Sequence, residues 1–220
     1  MILDATFFGK RRDKFGVLVA KDSRSKAVIS YRFIQTESIR EYHLIREEIE
    51  NLGFEVQAIV TDGKPGLFGL FEGIPQQMCH FHQQAILTRY LTRNPKLQAS
   101  IDLRRIASYL GRVNQERFTC LLQAWHKRHE AFLDEKVEDD SKRGWHYKHK
   151  RLRSAYRSLQ RHLPHLFTYQ KHSHLKIPNT TNALDGGIFS YLKNLLGVHR
   201  GIGIDLKKKL IIDFLEKQAK

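Results

Sequence analysis

The sequence predicts an α/β domain whose sheet is built in the first third of the chain. Three apolar or alternating segments at 1–9, 15–20 and 27–33, joined by short polar turns, predict an antiparallel meander. A helical pattern over 38–52 leads directly to an alternating run at 54–60. Because a helix that links two strands of one sheet favours a parallel crossover, a mixed sheet flanked by helices follows.

The helix over 38–52 has clear boundary signals. Ser38 and Glu41 have the S-x-x-E spacing of a capping box, and Gly53 predicts the C-terminal stop. One face is apolar at spacings of three and four, formed by Tyr42, Ile45, Ile49 and Leu52. This face is expected to pack on the sheet.

Asp62 follows the alternating run 54–60 and therefore lies at the tip of a predicted fourth strand. Gly63 allows a sharp turn after it. Two interpretations are open: an Asp-Gly turn residue, or a carboxylate placed for chemistry or metal binding. A fifth strand is predicted over 74–81, running into a helix that starts near His82.

The pattern changes after the fifth strand, and residues 83–178 predict an all-helical insertion. Apolar residues recur there at helical spacing, and little strand signal is present. Trp125 and Trp145 are interpreted as packing residues rather than a ligand-stacking pair. The predicted organisation is a core over 1–82, the insertion over 83–178, and a final helix with a basic tail over 179–220.

Positive charge is concentrated in this insertion. The chain has a net charge of +15, but residues 1–82 carry 11 basic and 11 acidic side chains, whereas 83–184 carry 20 and 8. From Ser141 to Leu184 there are 10 basic residues and no acidic ones. A field of one sign favours a polyanion such as nucleic acid; the alternative is a solvated helix face, which usually mixes signs. Candidate contacts are Lys148, Lys150, Arg151 and Arg153.

The C-terminal part contains a second candidate site. A loop over 178–182 supplies N-cap residues, a helix is expected near Ala183, and Asp185 lies in its first turn. Gly186 and Gly187 suggest close approach of this helix to a sheet or a nucleic-acid backbone. His199 and Arg200 either contact phosphate or complement the dipole at the C-terminus of a helix.

The composition indicates a reduced, cytoplasmic protein. No apolar run approaches the roughly 20 residues of a membrane helix. Cys79 and Cys120 do not make a disulfide framework. A zinc site at Cys79 and His82 is disfavoured because structural zinc wants four ligands, and no second Cys/His pair has suitable spacing.

Three acids and four short motifs carry a family resemblance. The acids are Asp4 on the first strand, Asp62 and Asp185. The motifs are Leu3-Asp4-Ala5-Thr6, Thr61-Asp62-Gly63, Cys79-His80-Phe81-His82, and Thr180-Thr181-Asn182-Ala183-Leu184-Asp185-Gly186-Gly187 with His199-Arg200-Gly201. In this order they resemble the catalytic domain of bacterial insertion-sequence transposases related to the eukaryotic Mutator-like elements.

The resemblance implies an RNase H-like fold in which strands one and four are adjacent and bring Asp4 and Asp62 side by side. It implies that Asp4, Asp62 and Asp185 hold two Mg²⁺ or Mn²⁺ ions, with Cys79 and His82 supporting the site. The expected activity is metal-dependent DNA cleavage and strand transfer. The implied partners are transposon ends and target DNA, bound by an oligomer that associates with the nucleoid.

The sequence departs from the family pattern at two places. The third acid is usually Glu, and here it is Asp185. The family normally carries an N-terminal DNA-binding region, whereas this chain starts at the first catalytic strand. An inactive remnant that only binds DNA is therefore the alternative, and an RNase H-like nuclease or resolvase without strand transfer is a third hypothesis.

Overall fold

A mixed five-stranded sheet forms the centre of the chain. The computed structural model describes residues 1–10, 13–140 and 144–219; Arg11 and Arg12 of the first predicted turn, residues 141–143 of the basic segment, and Lys220 lie outside that description. The strands are β1 Ile2–Phe8, β2 Phe15–Lys21, β3 Val28–Ile34, β4 Ile59–Thr61 and β5 Gln76–Met78.

The strand order across the sheet is β3-β2-β1-β4-β5. The first three strands are antiparallel neighbours, β1 is parallel to β4, and β4 is parallel to β5. The predicted α/β class, the meander and the parallel crossover are therefore confirmed.

The last two strands are shorter than predicted. β4 begins at Ile59 instead of residue 54, because β1 starts at Ile2 opposite Val60 and offers no partner to the residues before it. β5 covers only Gln76–Met78 instead of 74–81, since its register with β4 ends at Thr61. The following helix consequently begins two residues earlier than expected, at His80.

Helices account for most of the remaining described chain. They are α1 Ile39–Asn51, α2 Leu67–Leu70, α3 His80–Leu91, α4 Gln98–Ala107, α5 Gln115–Leu133, α6 Lys150–Leu166, α7 Thr168–Lys171, α8 Ser190–Val198 and α9 Ile204–Lys217. A 3₁₀ turn covers Ser173–Leu175, and a π-helix covers Ala183–Phe189. Among these described helices, none combines the length and the apolar character that crossing a bilayer requires.

The boundaries of α1 follow the predicted signals. The Ser38 hydroxyl accepts a hydrogen bond from the Glu41 amide at 3.4 Å, and Gly53 has a φ of +82°. Three of the four predicted apolar residues, Tyr42, Ile45 and Ile49, are buried. Leu52 is 62% exposed, so its assignment to the packed face was wrong; it lies at the C-cap, where the helix has ended.

The segment 83–178 is not all-helical. It contains a two-stranded hairpin, β6 Lys136–Glu138 paired with β7 Trp145–Tyr147. These strands have three residues each, too few for a period-two pattern to be recognised against the helical background. The Lys136 ammonium lies 4.2 Å from the centre of the Trp145 ring, and Trp125 is buried in the helical core, so both tryptophans pack.

Two helical layers cover the faces of the sheet and fix where β1 side chains point. Leu3 packs in the core beneath α1, whereas Ile2 and Phe8 pack in the core beneath the π-helix, α8 and α9. Because alternate residues of a strand share a face, Asp4 lies on the same face as Ile2 and Phe8. The carboxylate of Asp4 is thereby directed toward the C-terminal helices.

Candidate metal centre

Asp4 and Asp62 occupy equivalent positions on adjacent parallel strands. Ile2 pairs with Val60, so Asp4 lies two residues beyond this pair on β1, and Asp62 lies two residues beyond it, just past the end of β4. Asp4 is only 6% exposed, whereas Asp62 is half-buried. The pairing of β1 with β4 therefore gives these two aspartates neighbouring backbone positions, with Asp62 just outside the sheet.

Asp185 is brought over β1 by the π-helix Ala183–Phe189. A π-helix is rare, and single π turns occur frequently at functional sites. A Cβ atom at Gly186 would lie 2.5 Å from the Oδ1 atom of Asn182. The sequence-based explanation for Gly186, close approach to a sheet or to nucleic acid, is corrected: the close neighbour is a side chain one turn earlier.

Three side chains that could serve as metal ligands come together: Asp4, His82 and Asp185. Each offers one ligand atom, and these atoms all lie within 4.8 Å of one another. His82 enters this group because α3 begins at His80 and therefore presents His82 in its first turn. The family resemblance implies only a supporting role for His82.

These residues fit a divalent cation. The Oδ1 atom of Asp4 accepts a hydrogen bond from the Ala5 amide at 2.8 Å, but the Oδ2 atom is buried without any hydrogen-bond partner in the described chain. A buried carboxylate oxygen is costly unless it is paired, protonated or bound to a metal. Two carboxylates and one imidazole are suitable ligands for Mn²⁺ and related ions.

Asp62 lies outside this group of three. Its Oδ1 atom accepts a hydrogen bond from the Lys64 amide at 2.9 Å, which closes the turn after β4. Its pKa is raised, mainly by burial and further by the charge of Glu37, against the lowering effects of the Lys64 amide bond and of His82. In this conformation, therefore, the Asp62 side chain stabilises the turn after β4 and does not belong to the group of three.

The pKa of Asp4 is raised to about 8. Burial is the main cause, and the charge of Asp185 adds to it, while His82 lowers the pKa of Asp4. Without a cation, therefore, the Asp4 carboxyl is largely protonated at neutral pH. A bound divalent cation would displace this proton.

His82 is held by a small polar cluster that includes Cys79 and Thr181. The Thr181 amide lies 3.3 Å from the Cys79 sulfur, and the Thr181 hydroxyl lies 3.4 Å from Nδ1 of His82. Burial opposes the charged form of His82, yet the interaction with the Cys79 thiol and the charges of Asp4 and Asp185 raise its pKa to about 9. Burial also opposes the thiolate of Cys79, but hydrogen bonds with His82 and Thr181 lower its pKa.

A second network, which sequence analysis missed, borders Asp62. The Tyr42 hydroxyl donates a hydrogen bond to Glu37 Oε1 at 2.8 Å, and the Lys64 ammonium lies 3.4 Å from the same oxygen. Burial and the charge of Glu37 raise the pKa of Tyr42. No local pattern identifies Glu37, because it precedes α1 and meets Lys64 only through the folding of the sheet.

The predicted DNA contacts fall in different places. Lys148, Lys150 and Arg151 line one cleft, together with the loop that precedes α4. Arg153 interacts with other residues of the chain. It donates hydrogen bonds to the Leu133 carbonyl and to the Asp134 carboxylate, and its guanidinium lies over the Tyr147 ring.

His199 and Arg200 follow the C-terminus of α8. Arg200 donates a hydrogen bond to the Gly197 carbonyl at 3.0 Å, as expected for a cation that complements a helix C-terminus. Arg200 also lines a cleft of about 840 Å³ with Lys193 and Lys207 at the end of β1.

Comparisons with known proteins found no match, so a functional assignment has to rest on the geometry of this site. No protein-family model matches the chain, and no curated protein matches it. What the arrangement offers chemically is a half-buried group of two carboxylates and one imidazole, with a third carboxylate beside it.

Proposed function

We propose that this chain is the catalytic domain of a transposase that cleaves and joins DNA by metal-dependent phosphoryl transfer. The observation that carries the proposal is the unpaired, buried Oδ2 atom of Asp4, which belongs to a group with His82 and Asp185 at the junction of two parallel strands. A buried carboxylate oxygen without a partner is costly unless it is protonated or binds a cation.

The sheet supports an RNase H-like assignment. Strands β1 to β3 form an antiparallel meander, and β4 joins the other side of β1 in parallel, which is the arrangement expected of that fold. The acids lie on β1, just after β4, and in a helix that follows a long helical region, again in the expected order. The topology supports the fold alone, and the proposed activity rests on the residues of the site.

The proposed roles follow from position. Asp4, His82 and Asp185 would hold a divalent cation, and Asp62 would add negative charge beside them. When bound, such ions stabilise charge on a phosphoryl group and lower the pKa of the attacking water. Cys79 and Thr181 fix the orientation of His82 and Asp185, and the basic helical region binds the phosphates of the DNA.

A DNA-binding protein without cleavage activity is the second candidate. It is favoured by the excess of 20 basic over 8 acidic residues in 83–184, a region that contains none of the three aspartates. Binding of DNA alone cannot distinguish it from a transposase, since both require the same charge.

Nicking of supercoiled plasmid DNA in Mn²⁺ or Mg²⁺ separates the two candidates. We expect the native chain to nick, Asp4→Asn and Asp185→Asn to be inactive, and EDTA to abolish the reaction. Asp205→Asn, an exposed aspartate in α9, serves as the matched control and should nick like the native chain. Native protein that binds the plasmid but does not nick it in either metal would overturn the catalytic proposal.

A further inference from the structure

A cleft in the helical region is lined by cations from two separate parts of the chain. It has a volume of about 610 Å³ and lies between the loop before α4 and the start of α6. Lys96 belongs to the first wall, and Lys148, Lys150 and Arg151 to the second. No described lining residue is Asp or Glu, although Glu135 contacts Lys148 and Asp139 contacts His146.

Two helices begin at this cleft, and neither has a side-chain cap. Leu97 is the N-cap of α4 and His149 is the N-cap of α6; both residues line the cleft. Neither helix has an acidic residue in its first turn. No acid in the first turn of either helix neutralises the partial positive charge of its N-terminus, although Glu135 lies 3.3 Å from the α6 N-cap residue His149.

A buried polar side chain also faces the cleft without a partner. Ser100, in the first turn of α4, is only 5% exposed and lines the cleft. Its hydroxyl makes no hydrogen bond with another residue of the described chain. Lys96 and Lys150 likewise make no ion pair within the described ranges, so donors from both walls are available to an anion.

The surface beyond the cleft favours a polymer over a small anion. Lys150, Arg157 and Arg161 are exposed at spacings of seven and four residues, which places them in a row along one face of α6. The sequence of α6 contains no acidic residue. A free phosphate would occupy only the cleft, whereas a nucleic-acid strand has further phosphates to follow the row.

We propose that this cleft binds backbone phosphates of a nucleic acid, which then follows the exposed basic face of α6. The first phosphate would lie between Lys96 and Lys150, with the Ser100 hydroxyl and the uncapped amides of α4 and α6 as further donors. This inference rests on the proposed DNA substrate, but it is independent of the cleavage chemistry.

The test is the salt dependence of binding to a short labelled DNA duplex. For Lys96→Gln/Lys150→Gln, the slope of log K against log salt should fall by about 1, because the two lysines neutralise the same phosphate. At about 0.1 M salt the affinity should fall by roughly tenfold to a hundredfold. The matched control is Lys127→Gln/Lys209→Gln, which removes two exposed lysines that do not line the cleft and should change the slope less.

A charge reversal separates a binding role from a structural one. Lys150→Glu places an acid in the first turn of α6, which should raise the melting temperature while it weakens DNA binding. Native slope and affinity in the double variant would overturn the proposal. So would saturable binding of inorganic phosphate that the double variant loses while its DNA binding stays native, because the cleft would then be a free-phosphate site.

The nicking assay keeps this result separate from the proposed activity. If the native chain nicks DNA and the double variant binds DNA normally, the cleft is not a phosphate-binding site, but the transposase proposal stands. If the native chain never nicks DNA and the double variant loses DNA binding, the cleft proposal stands and the transposase proposal is contradicted.

Discussion

Thr181 is hydrogen-bonded to Asp185: its hydroxyl donates to the Oδ2 atom of that residue at 2.9 Å. Thr181 is fully buried, and its amide lies 3.3 Å from the Cys79 sulfur. One residue therefore connects the π-helix to the start of α3. Because the Asp185 oxygen and His82 both contact the Thr181 hydroxyl, this hydroxyl sets their relative positions.

Thr181→Val should weaken metal binding while it leaves the fold intact. The change removes the hydroxyl but keeps the shape, so the Asp185 carboxylate loses its orienting hydrogen bond. Loss of a bond that orients a ligand typically lowers metal affinity by about tenfold or more. The free energy of unfolding should fall by about 1–2 kcal/mol. Mn²⁺ titration and urea denaturation measure the two effects.

Two further variants serve as controls for Thr181→Val. Thr181→Ser keeps the hydroxyl and should restore most of the metal affinity. Thr180→Val changes the preceding, half-buried threonine and should leave metal binding unchanged. If Thr181→Val and Thr181→Ser bind Mn²⁺ equally weakly, the hydroxyl does not position Asp185.

His82→Ala should change the metal preference of the site. Imidazole is a better ligand for Mn²⁺ and later transition metals than for Mg²⁺, which prefers oxygen ligands. We expect Mn²⁺ affinity to fall by about tenfold or more and Mg²⁺ affinity by less than about threefold. His43→Ala, which removes an exposed histidine of α1, is the control. Equal losses for both metals would show that His82 is not a ligand.

The topology of the sheet could be predicted from sequence, because it depends on local signals. Short polar turns specify the meander, and the capped helix α1 specifies the crossover that places β4 beside β1. The adjacency of Asp4 and Asp62 follows from that crossover. By contrast, Thr181 and His82 are 99 residues apart, and they meet only because the segment before the π-helix lies against the start of α3.

The sequence did not identify His82 as a candidate metal ligand, because hydrophobic periodicity does not fix the residue at which α3 begins. The sequence predicts that α3 starts near His82, but the helix begins at His80 because β5 ends at Met78. This shift places the imidazole of His82 in the first turn, beside Asp185. The hairpin of β6 and β7 was missed for a similar reason, since its strands are too short to show alternation.

Asp4 should make the metal-free protein less stable as pH rises. Burial keeps the Asp4 carboxyl protonated up to about pH 8 in the folded chain, whereas its ordinary pKa is 3.8. Between these values the folded state binds the extra proton, so the free energy of unfolding falls with increasing pH. One such proton contributes at most about 1.4 kcal/mol per pH unit. His82, with its pKa raised from 6.5 to about 9, acts in the same direction above pH 6.5.

Urea denaturation in EDTA between about pH 4.5 and 7.5 measures this dependence. Asp4→Asn cannot ionise, so its curve should be flatter, and it should exceed the native chain in stability near the upper limit. Asp205→Asn should follow the native curve, since that aspartate is exposed. Parallel curves for Asp4→Asn and the native chain would contradict a protonated, buried Asp4.

Gly63→Ala should destabilise the chain next to the candidate site. Gly63 has a φ of +78°, and a Cβ atom there would lie 2.0 Å from the sulfur of Met78, which is fully buried in β5. Strain in the left-handed region costs about 1–2 kcal/mol, and displacing a packed side chain costs about 1–3 kcal/mol more. Gly53→Ala is the matched control, because Gly53 has a φ of +82° but no atom within 4 Å of the added Cβ. The difference between the two variants in urea denaturation isolates the contact with Met78. Equal losses would mean that Met78 moves aside without cost and that the turn after Asp62 is held by backbone conformation alone.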